Sequence, residues 1–148
     1  MSEKTSDLPA LIGRFIQIYQ ALNSESLSQL TSIYHKDIEF IDPIHHILGL
    51  PDLIQYFDGM YQNMISCDFD IDEINGVDNQ FFLNWTMQFR HKKIGRAKLI
   101  KVVGLSQLKI QDDLVIYHRD YFDLSEMIFD HLPLIGGITQ YVKRKAAQ

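Results

Sequence analysis

Residues 115–127, VIYHRDYFDLSEM, decide how this chain is interpreted. They predict a strand that continues directly into a helix. Because side chains alternate across a strand, one face carries an imidazole, a carboxylate and a phenyl ring, on His118, Asp120 and Phe122. The opposite face carries two tyrosines and an arginine. We therefore ask which face points into the protein, and what a histidine and an aspartate would do there.

The composition indicates one globular domain over residues 1–148. Hydrophobic residues make up 46% of the chain and charged residues 22%, which is typical of a folded protein. The net charge of -5 argues against nucleic-acid binding. The single cysteine, Cys67, excludes an internal disulfide and a thiolate metal site, so we expect neither metal nor cofactor.

The N-terminal residues give expectations about location. Residues 1–6 are expected to form a disordered tail, and the polar start lacks the apolar core of a signal peptide. No run of about 18 apolar residues is present, so no membrane partner is expected. A cytoplasmic location follows as the default.

The first half of the chain is mainly helical. Periodicity predicts a helix over residues 7–22, with Asp7 as its N-cap, and a short second helix that runs through Tyr34. DIEFID, residues 37–42, is a short strand that ends at a proline, and residues 51–65 form a third helix.

The second half alternates as strands do. Four segments carry this pattern: residues 67–74, 80–91, 97–110 and 114–122. Consecutive strands joined by short turns make an antiparallel sheet, and helices placed before them cover one face, which gives an α+β fold. A strongly curved sheet closed by helices leaves a conical cavity. A helical turn from Asp123 and a C-terminal helix over residues 137–146 complete the chain.

The order of elements resembles the nuclear transport factor 2-like superfamily, in its SnoaL-like branch, over nearly the whole chain. RDYFDL at residues 119–124, followed by LPLIG at residues 132–136, is similar to the end of limonene epoxide hydrolase. ALN at residues 21–23, followed nineteen residues after its asparagine by Asp42-Pro43, is similar to ketosteroid isomerase. The resemblance implies a cystatin-like cone with N-terminal helices that close a pocket.

The similarity to epoxide hydrolases leaves their catalytic group incomplete. Their strand aspartate corresponds to Asp120, which is present. Their arginine and second aspartate correspond to Trp85 and Met87, their tyrosine to Phe40, and their asparagine to Asp42. Opening an epoxide needs a base for the water and an acid for the leaving oxygen, so this reaction is the less expected one.

The similarity to ketosteroid isomerases points to another residue. Their proton-shuttling aspartate corresponds to Asp42. Their oxyanion-hole tyrosine falls one position before Tyr19, and their second donor falls on Ser106. Polyketide cyclases of the SnoaL type use a carboxylate at the end of this sheet, a role that Asp120 with His118 would fill.

The candidate catalytic residues are therefore Asp42 and Asp120, assisted by His118. Asp42 has an equally open alternative, in which it only accepts backbone hydrogen bonds where a strand ends. The alternative for Asp120 is a structural role as a partner of His118 or of the neighbours of Arg119. The Cα atoms of Asp120 and His118 should lie roughly 7 Å apart, which makes direct pairing awkward but lets both side chains reach one ligand. The expected ligand-binding residues are Tyr19, Phe40, His45, Phe57, Trp85, Met87, Phe89, Val102, Ser106 and Phe122.

Three features have simpler expectations. His45 and His46 lie in a loop, and adjacent side chains in an extended segment point apart, so a metal site is not expected. The indole N–H of Trp85 needs a partner if it is buried, and Asp42 or Asp120 could accept it. The cations of the basic C-terminal tail are expected only to stabilise the C-terminal end of their own helix.

Two functions remain open. The first is binding of a small apolar molecule that carries a polar group. The molecule would lie in the cone and undergo cofactor-independent acid–base chemistry of the isomerase, cyclase or lyase type. The second is a non-catalytic ligand sensor or protein-interaction module. The outward sheet face is apolar at Phe82, Val103, Leu105 and Tyr117, so we expect a second copy to cover it in a homodimer.

Overall fold

Four helices and six strands account for most of residues 8–148, which the computed structural model describes. The expected tail over residues 1–6 and the expected N-cap Asp7 lie outside the described residues. In chain order the elements are α1 (Ala10–Ala21), β1 (Tyr34–Ile41), β2 (His46–Leu48), α2 (Leu50–Gln62), β3 (Met64–Val77), β4 (Gln80–His91), β5 (Ile100–Gln111), β6 (Leu114–Phe122), α3 (Leu124–Met127) and α4 (Ile135–Ala146). Short 3-10 helices span Leu27–Ser32, Gly95–Ala97 and Phe129–His131.

The helices begin and end where local chemistry directs. Pro9 precedes α1, and Gly49 precedes α2 with a φ of 91°, in the left-handed region that favours glycine. The side chain of Asp123 caps α3, where it accepts hydrogen bonds from the amides of Ser125 and Glu126. Tyr34 begins β1 instead of ending a helix, because the short second helix stops at Ser32.

The six strands form one mixed sheet in the order β2-β1-β6-β5-β4-β3. The antiparallel prediction holds for the run from β3 to β6, where hairpins force it. The turn between β5 and β6 uses Asp112 and Asp113 with φ of 55° and 56°. However, β1 pairs parallel to β6, because the intervening chain leaves it free of any hairpin constraint. This pairing puts Phe40 opposite His118.

The sheet is curled and does not close on itself, which confirms the predicted cone and the α+β class. The pairing of β3 with β4 shifts register near Met64 and again near Ile71, and that of β5 with β6 shifts at Lys109. Such irregularities bend strands and increase twist. The curl leaves a hollow on the concave side.

Two apolar clusters fill the concave side of the sheet. The larger one joins α1 and α2 to the sheet through buried residues such as Phe15, Leu53 and Leu83. The smaller one gathers Trp85, Met87, Phe89, Ile100 and Val102 at the other end. The hollow lies where residues of both clusters meet.

Candidate functional site

A cavity of about 240 Å³ opens on the concave side of the sheet. Every layer of the fold contributes to its wall, so no short segment of sequence could form it alone. The lining residues are Phe15, Tyr19, Phe40, Asp42, Ile44, His45, Tyr56, Phe57, Met60, Tyr61, Met64, Cys67, Phe69, Trp85, Met87, Phe89, His91, Ile94, Ser106, Asp120, Phe122, Met127 and Ile128. The wall is mostly apolar, which suits a ligand with a large apolar part.

The cavity contains most, but not all, of the residues expected from the sequence. Asp42 and Asp120 line it, as do all the expected ligand-binding residues except Val102. Val102 is completely buried, because larger side chains of its own cluster cover it. His118 is also buried behind the wall, at 1% exposure, so it reaches the cavity only through its neighbours.

His118 and Asp120 form a direct pair, which the spacing of their Cα atoms had made the less expected of the two arrangements. Nε2 of His118 lies 2.7 Å from Oδ1 of Asp120. The two residues are neighbours on one strand face, and their long side chains lean together across the gap between their Cα atoms. The ring of Phe40 lies edge-on to that of His118, with 4.9 Å between centroids.

The pair continues into a chain of buried hydroxyl groups. Nδ1 of His118 lies 2.6 Å from the hydroxyl of Tyr34, which in turn lies 2.5 Å from the hydroxyl of Tyr19. Tyr19 lines the cavity, and so does Asp120. A continuous hydrogen-bonded chain therefore connects two residues of the cavity lining, Tyr19 and Asp120, through the interior of the protein.

A second branch reaches the same carboxylate oxygen. The hydroxyl of Ser106 donates to Oδ1 of Asp120 over 2.5 Å. The indole N–H of Trp85 donates to the hydroxyl of Ser106 over 2.9 Å. We expected an aspartate to accept this N–H. Instead Ser106 lies between Trp85 and Asp120, because Ser106 is the residue of β5 that pairs with Asp120 of β6.

The two tyrosines of this network keep their hydroxyl protons. Burial, followed by the neighbouring Tyr34 and Asp120, raises the pKa of Tyr19 well above its ordinary value. Burial is also the main cause that raises the pKa of Tyr34. Both tyrosines are therefore protonated near pH 7, so each hydroxyl can donate one hydrogen bond along the chain. The tautomer of His118 sets the direction in which these bonds run.

Asp42 is held by its own loop. Its Oδ1 accepts hydrogen bonds from the backbone amides of Ile44 and His45, over 2.8 and 2.6 Å. Its Oδ2 accepts a hydrogen bond from the hydroxyl of Tyr56 over 2.6 Å. Burial, followed by this hydrogen bond, raises the pKa of the Tyr56 phenol. Asp42 thus shapes the cavity rim by the turn-forming role that the sequence left open.

A third polar pair lies in the wall between α2 and β3. The hydroxyl of Tyr61 is hydrogen-bonded to Cys67, and burial raises the pKa of Tyr61. Burial and the nearby charge of Asp68 raise the pKa of the Cys67 thiol to about 11. Both groups are therefore neutral near pH 7 and act as weakly polar wall.

The two adjacent histidines have separate partners, and His46 begins β2 instead of lying in the loop that was expected. His46 places Nε2 at 2.9 Å from Oε1 of Glu39, at the surface. His45 places Nδ1 at 3.4 Å from Oδ1 of Asp42, at the cavity rim. Within residues 8–148 no group of three or more histidine, cysteine or acidic side chains is arranged to hold a metal ion.

Sequence reasoning missed Tyr34 and Tyr56, which hold the two acidic centres in place. Tyr34 lies 84 positions before His118 in sequence, and only the parallel pairing of β1 with β6 brings them together. Tyr56 could have been found, because the predicted third helix turns it toward the same side as Phe57 and Met60. Its position in α2 did not indicate which carboxylate it would meet.

A curled sheet closed by two helices over a cavity with buried acidic and phenolic groups defines a class of small conical proteins, the nuclear transport factor 2-like proteins. Within this class the chain belongs to the SnoaL-like domain family, whose model matches residues 15–118. No curated protein sequence matches it significantly.

Solved structures show the same fold at low sequence identity. An NTF2-like protein of unknown function from Burkholderia pseudomallei superposes with a TM-score of 0.71 at 12% identity, covering 81% of this chain and 95% of that one. A protein with a ketosteroid isomerase-like fold from Catenulispora acidiphila, in complex with trimethylamine, reaches 0.71 at 13% identity and covers 86% and 96%. An LEH-like epoxide hydrolase from M. tuberculosis reaches 0.65 at 15% identity, with coverage of 79% and 85%.

Proposed function

We propose that this protein binds a small apolar molecule that carries a carbonyl group and moves a proton on it without a cofactor. Asp120 is the base. The reaction would be an isomerisation, or a cyclisation or elimination that starts with the same proton removal. An unsaturated ketone or a lactone is the substrate class that suits such a cavity.

The observation that carries this proposal is the unequal use of the two oxygens of Asp120. Oδ1 accepts hydrogen bonds from both His118 and Ser106. Oδ2 accepts none from the part of the chain that the structure describes, on a residue that lines the cavity. The network therefore fixes the orientation of the carboxylate and leaves one oxygen for a ligand.

The chemical step is a proton transfer from carbon. Oδ2 of Asp120 takes a proton from the carbon next to the carbonyl, and the electron pair of the broken C–H bond moves into the carbonyl as an enolate. Return of that proton to another carbon shifts the double bond, so no atom is gained or lost. The apolar wall keeps water from competing for the proton.

Asp42 is kept as the second acid–base candidate, because it lines the same cavity. Its three hydrogen bonds give it a supporting role first. Asp42→Asn should therefore disturb the rim and weaken binding more than it slows the chemical step.

The test is turnover of enones, lactones and epoxides by the wild-type chain and by Asp120→Asn. Deuterium exchange into the product, followed by NMR, detects proton transfer even where the equilibrium is unfavourable. Loss of the base should lower kcat by about a hundredfold or more. Asp113→Asn, at a carboxylate that is 71% exposed, is the matched control and should leave kcat unchanged. Full activity in Asp120→Asn would refute the assignment.

A second function, a non-catalytic ligand sensor, is favoured by one observation. The hydroxyls of Tyr19, Tyr34 and Tyr56 are already hydrogen-bonded to groups of the protein, whereas donors aimed at a developing enolate usually supply much of the rate. In that case the same ligands would raise the melting temperature of the wild-type chain and of Asp120→Asn, with no deuterium exchange in either. A cytoplasmic location remains a prediction under both functions.

A further inference from the structure

The C-terminal helix α4 is attached to the protein by its polar face. Gly136 is its buried residue, packed so closely on the carbonyl oxygen of Asp130 that a Cβ would lie 2.7 Å from it. One turn on, the hydroxyl of Thr139 donates to Oδ1 of Asp130 over 2.9 Å. One further turn on, Nζ of Lys143 lies 3.2 Å from Asp123 and 3.6 Å from Asp130. These three contacts follow the i, i+3, i+7 spacing of a single helix face.

The apolar face of α4 is turned away from the protein. Four of its large apolar side chains are exposed by between 46% and 61%, and Leu134 just before it is exposed by 87%. They are Ile135, Ile138, Tyr141 and Val142. An amphipathic surface helix normally buries its apolar stripe and exposes its polar one. Here the arrangement is inverted, so the stripe is available to something outside the fold.

The charge around this stripe is positive, although the whole chain is negative. The net charge is -5, yet half of the 14 lysines and arginines lie in residues 92–98 and 143–145. No acidic residue occurs in residues 90–111 or 131–148. The two basic segments approach each other: a Cβ built on Gly95 would lie 3.7 Å from that of His131, and His131 belongs to the 3-10 helix that packs against α4. Leu99, also in this region, is 49% exposed.

We propose that α4 and residues 92–99 form a surface that docks onto an anionic lipid bilayer, with the apolar stripe in the headgroup boundary and the cations against the lipid phosphates. Exposed aliphatic and tyrosine side chains flanked by lysine and arginine are the pattern that such docking requires. Pairing of two copies through this surface is disfavoured, since Asp123 and Asp130 beside it are already paired with Lys143 and the charges left over are cations.

The position of this surface gives it a use. Ile94 and Ile128 both line the cavity. Ile94 belongs to the basic segment 92–98, and Ile128 directly precedes the 3-10 helix that supports α4. Docking by this face would hold the cavity close to the membrane, where an apolar ligand is concentrated. This inference depends on the exposed face of α4 and is independent of the chemistry assigned to Asp120.

The test is co-sedimentation of the full chain with lipid vesicles. Vesicles of phosphatidylcholine with about 30 mol% phosphatidylglycerol should bind it, whereas phosphatidylcholine alone should bind far less, and added salt should reduce binding. Ile138→Asp should lower the affinity at least about tenfold, and Arg144→Gln with Lys145→Gln should lower it by a similar factor. All three residues are exposed, so the melting temperature should stay near that of the wild type.

Two matched controls distinguish binding through this surface from nonspecific binding to vesicles. Val77→Asp places the same kind of change at a valine that is 69% exposed on the distant hairpin, and Lys109→Gln removes a cation from the other end of β5. Both should bind vesicles as the wild type does. Equal binding by Ile138→Asp, or no binding by the wild type at low salt, would overturn the proposal. Dissociation of a dimer by Ile138→Asp in light scattering, without vesicle binding, would overturn it in favour of a second copy.

Discussion

Tyr34 connects Tyr19, which lines the cavity, to His118, which is buried behind the cavity wall. It is 1% exposed, and its hydroxyl contacts both Tyr19 and His118. Buried polar atoms of this kind are costly unless every one is paired. The described residues contain no buried side-chain nitrogen or oxygen without a partner, so the network is complete as it stands.

We predict that Tyr34→Phe breaks this network at its middle. The change leaves Nδ1 of His118 without a partner in an apolar interior, so the free energy of unfolding should fall by about 1–3 kcal/mol. Urea unfolding followed by the fluorescence of Trp85 measures this. Tyr121→Phe, at a tyrosine that is 45% exposed, is the control and should change stability little. Equal stability of both variants would mean that the chain of hydroxyls contributes nothing.

A further residue-scale prediction concerns Cys67 and pH. Burial and Asp68 raise its pKa to about 11, against the opposing hydrogen bond from Tyr61. At pH 7 its reaction with a disulfide reagent should be slower than in the urea-unfolded chain by about a hundredfold, and should accelerate as pH rises toward 11. Because the folded pKa is the higher one, this group stabilises the fold below the pKa of the unfolded thiol and loses that contribution as pH rises. Rapid labelling of the folded chain at pH 7 would contradict this environment.

At the scale of elements, the contact between β4 and β5 positions the site. Trp85 and Gly104 are directly paired across these strands. The indole lies against the glycine, where an added Cβ would overlap the ring. This close approach lets the indole N–H reach Ser106 and hold the hydroxyl that donates to Asp120. Glycine in this strand therefore serves packing as well as curvature.

We predict that Gly104→Ala displaces Trp85 and destabilises the protein by about 1–3 kcal/mol. The displaced indole should also lose its bond to Ser106, so its fluorescence maximum should shift. Gly59→Ala is the matched control, because the added methyl on α2 meets nothing within 4 Å. Helix propensity favours alanine there, so this variant should gain about 0.5–1 kcal/mol. The structure would be wrong at this contact if both variants behaved alike.

For the whole molecule, the outer face of the sheet remains to be covered. Val103 is 55% exposed and Tyr121 is 45% exposed on adjacent strands, with Leu105 and Tyr117 half-buried beside them. A central sheet face this apolar is unusual for a monomer.

Within residues 8–148 no helix is long and apolar enough to span a bilayer.

We predict a homodimer through this outer face at micromolar concentration, measured by light scattering after size-exclusion chromatography. Val103→Glu should shift the population to monomer, because it buries a charge in the interface. Val77→Glu, at the end of β3 and away from the centre of the face, should leave the dimer intact. A monomeric wild-type chain would exclude this arrangement.

The sequence by itself determined the order and type of nearly all elements, because alternation and helical periodicity are local properties. The resemblance to a known family, and not a local pattern, predicted which face of β6 points inward, where Asp120 and Phe122 line the cavity and His118 is buried on the same side. A local signal predicted the helical turn from Asp123, whose side chain caps α3.

Only the tertiary structure decided how the polar groups pair. The parallel pairing of β1 with β6 brings Tyr34 to His118, and the rotamers of β6 bring His118 to Asp120. It also decided that Val102 is covered and that α4 shows its apolar face to the outside. These outcomes depend on contacts between residues far apart in sequence, and on side-chain directions that no local pattern specifies.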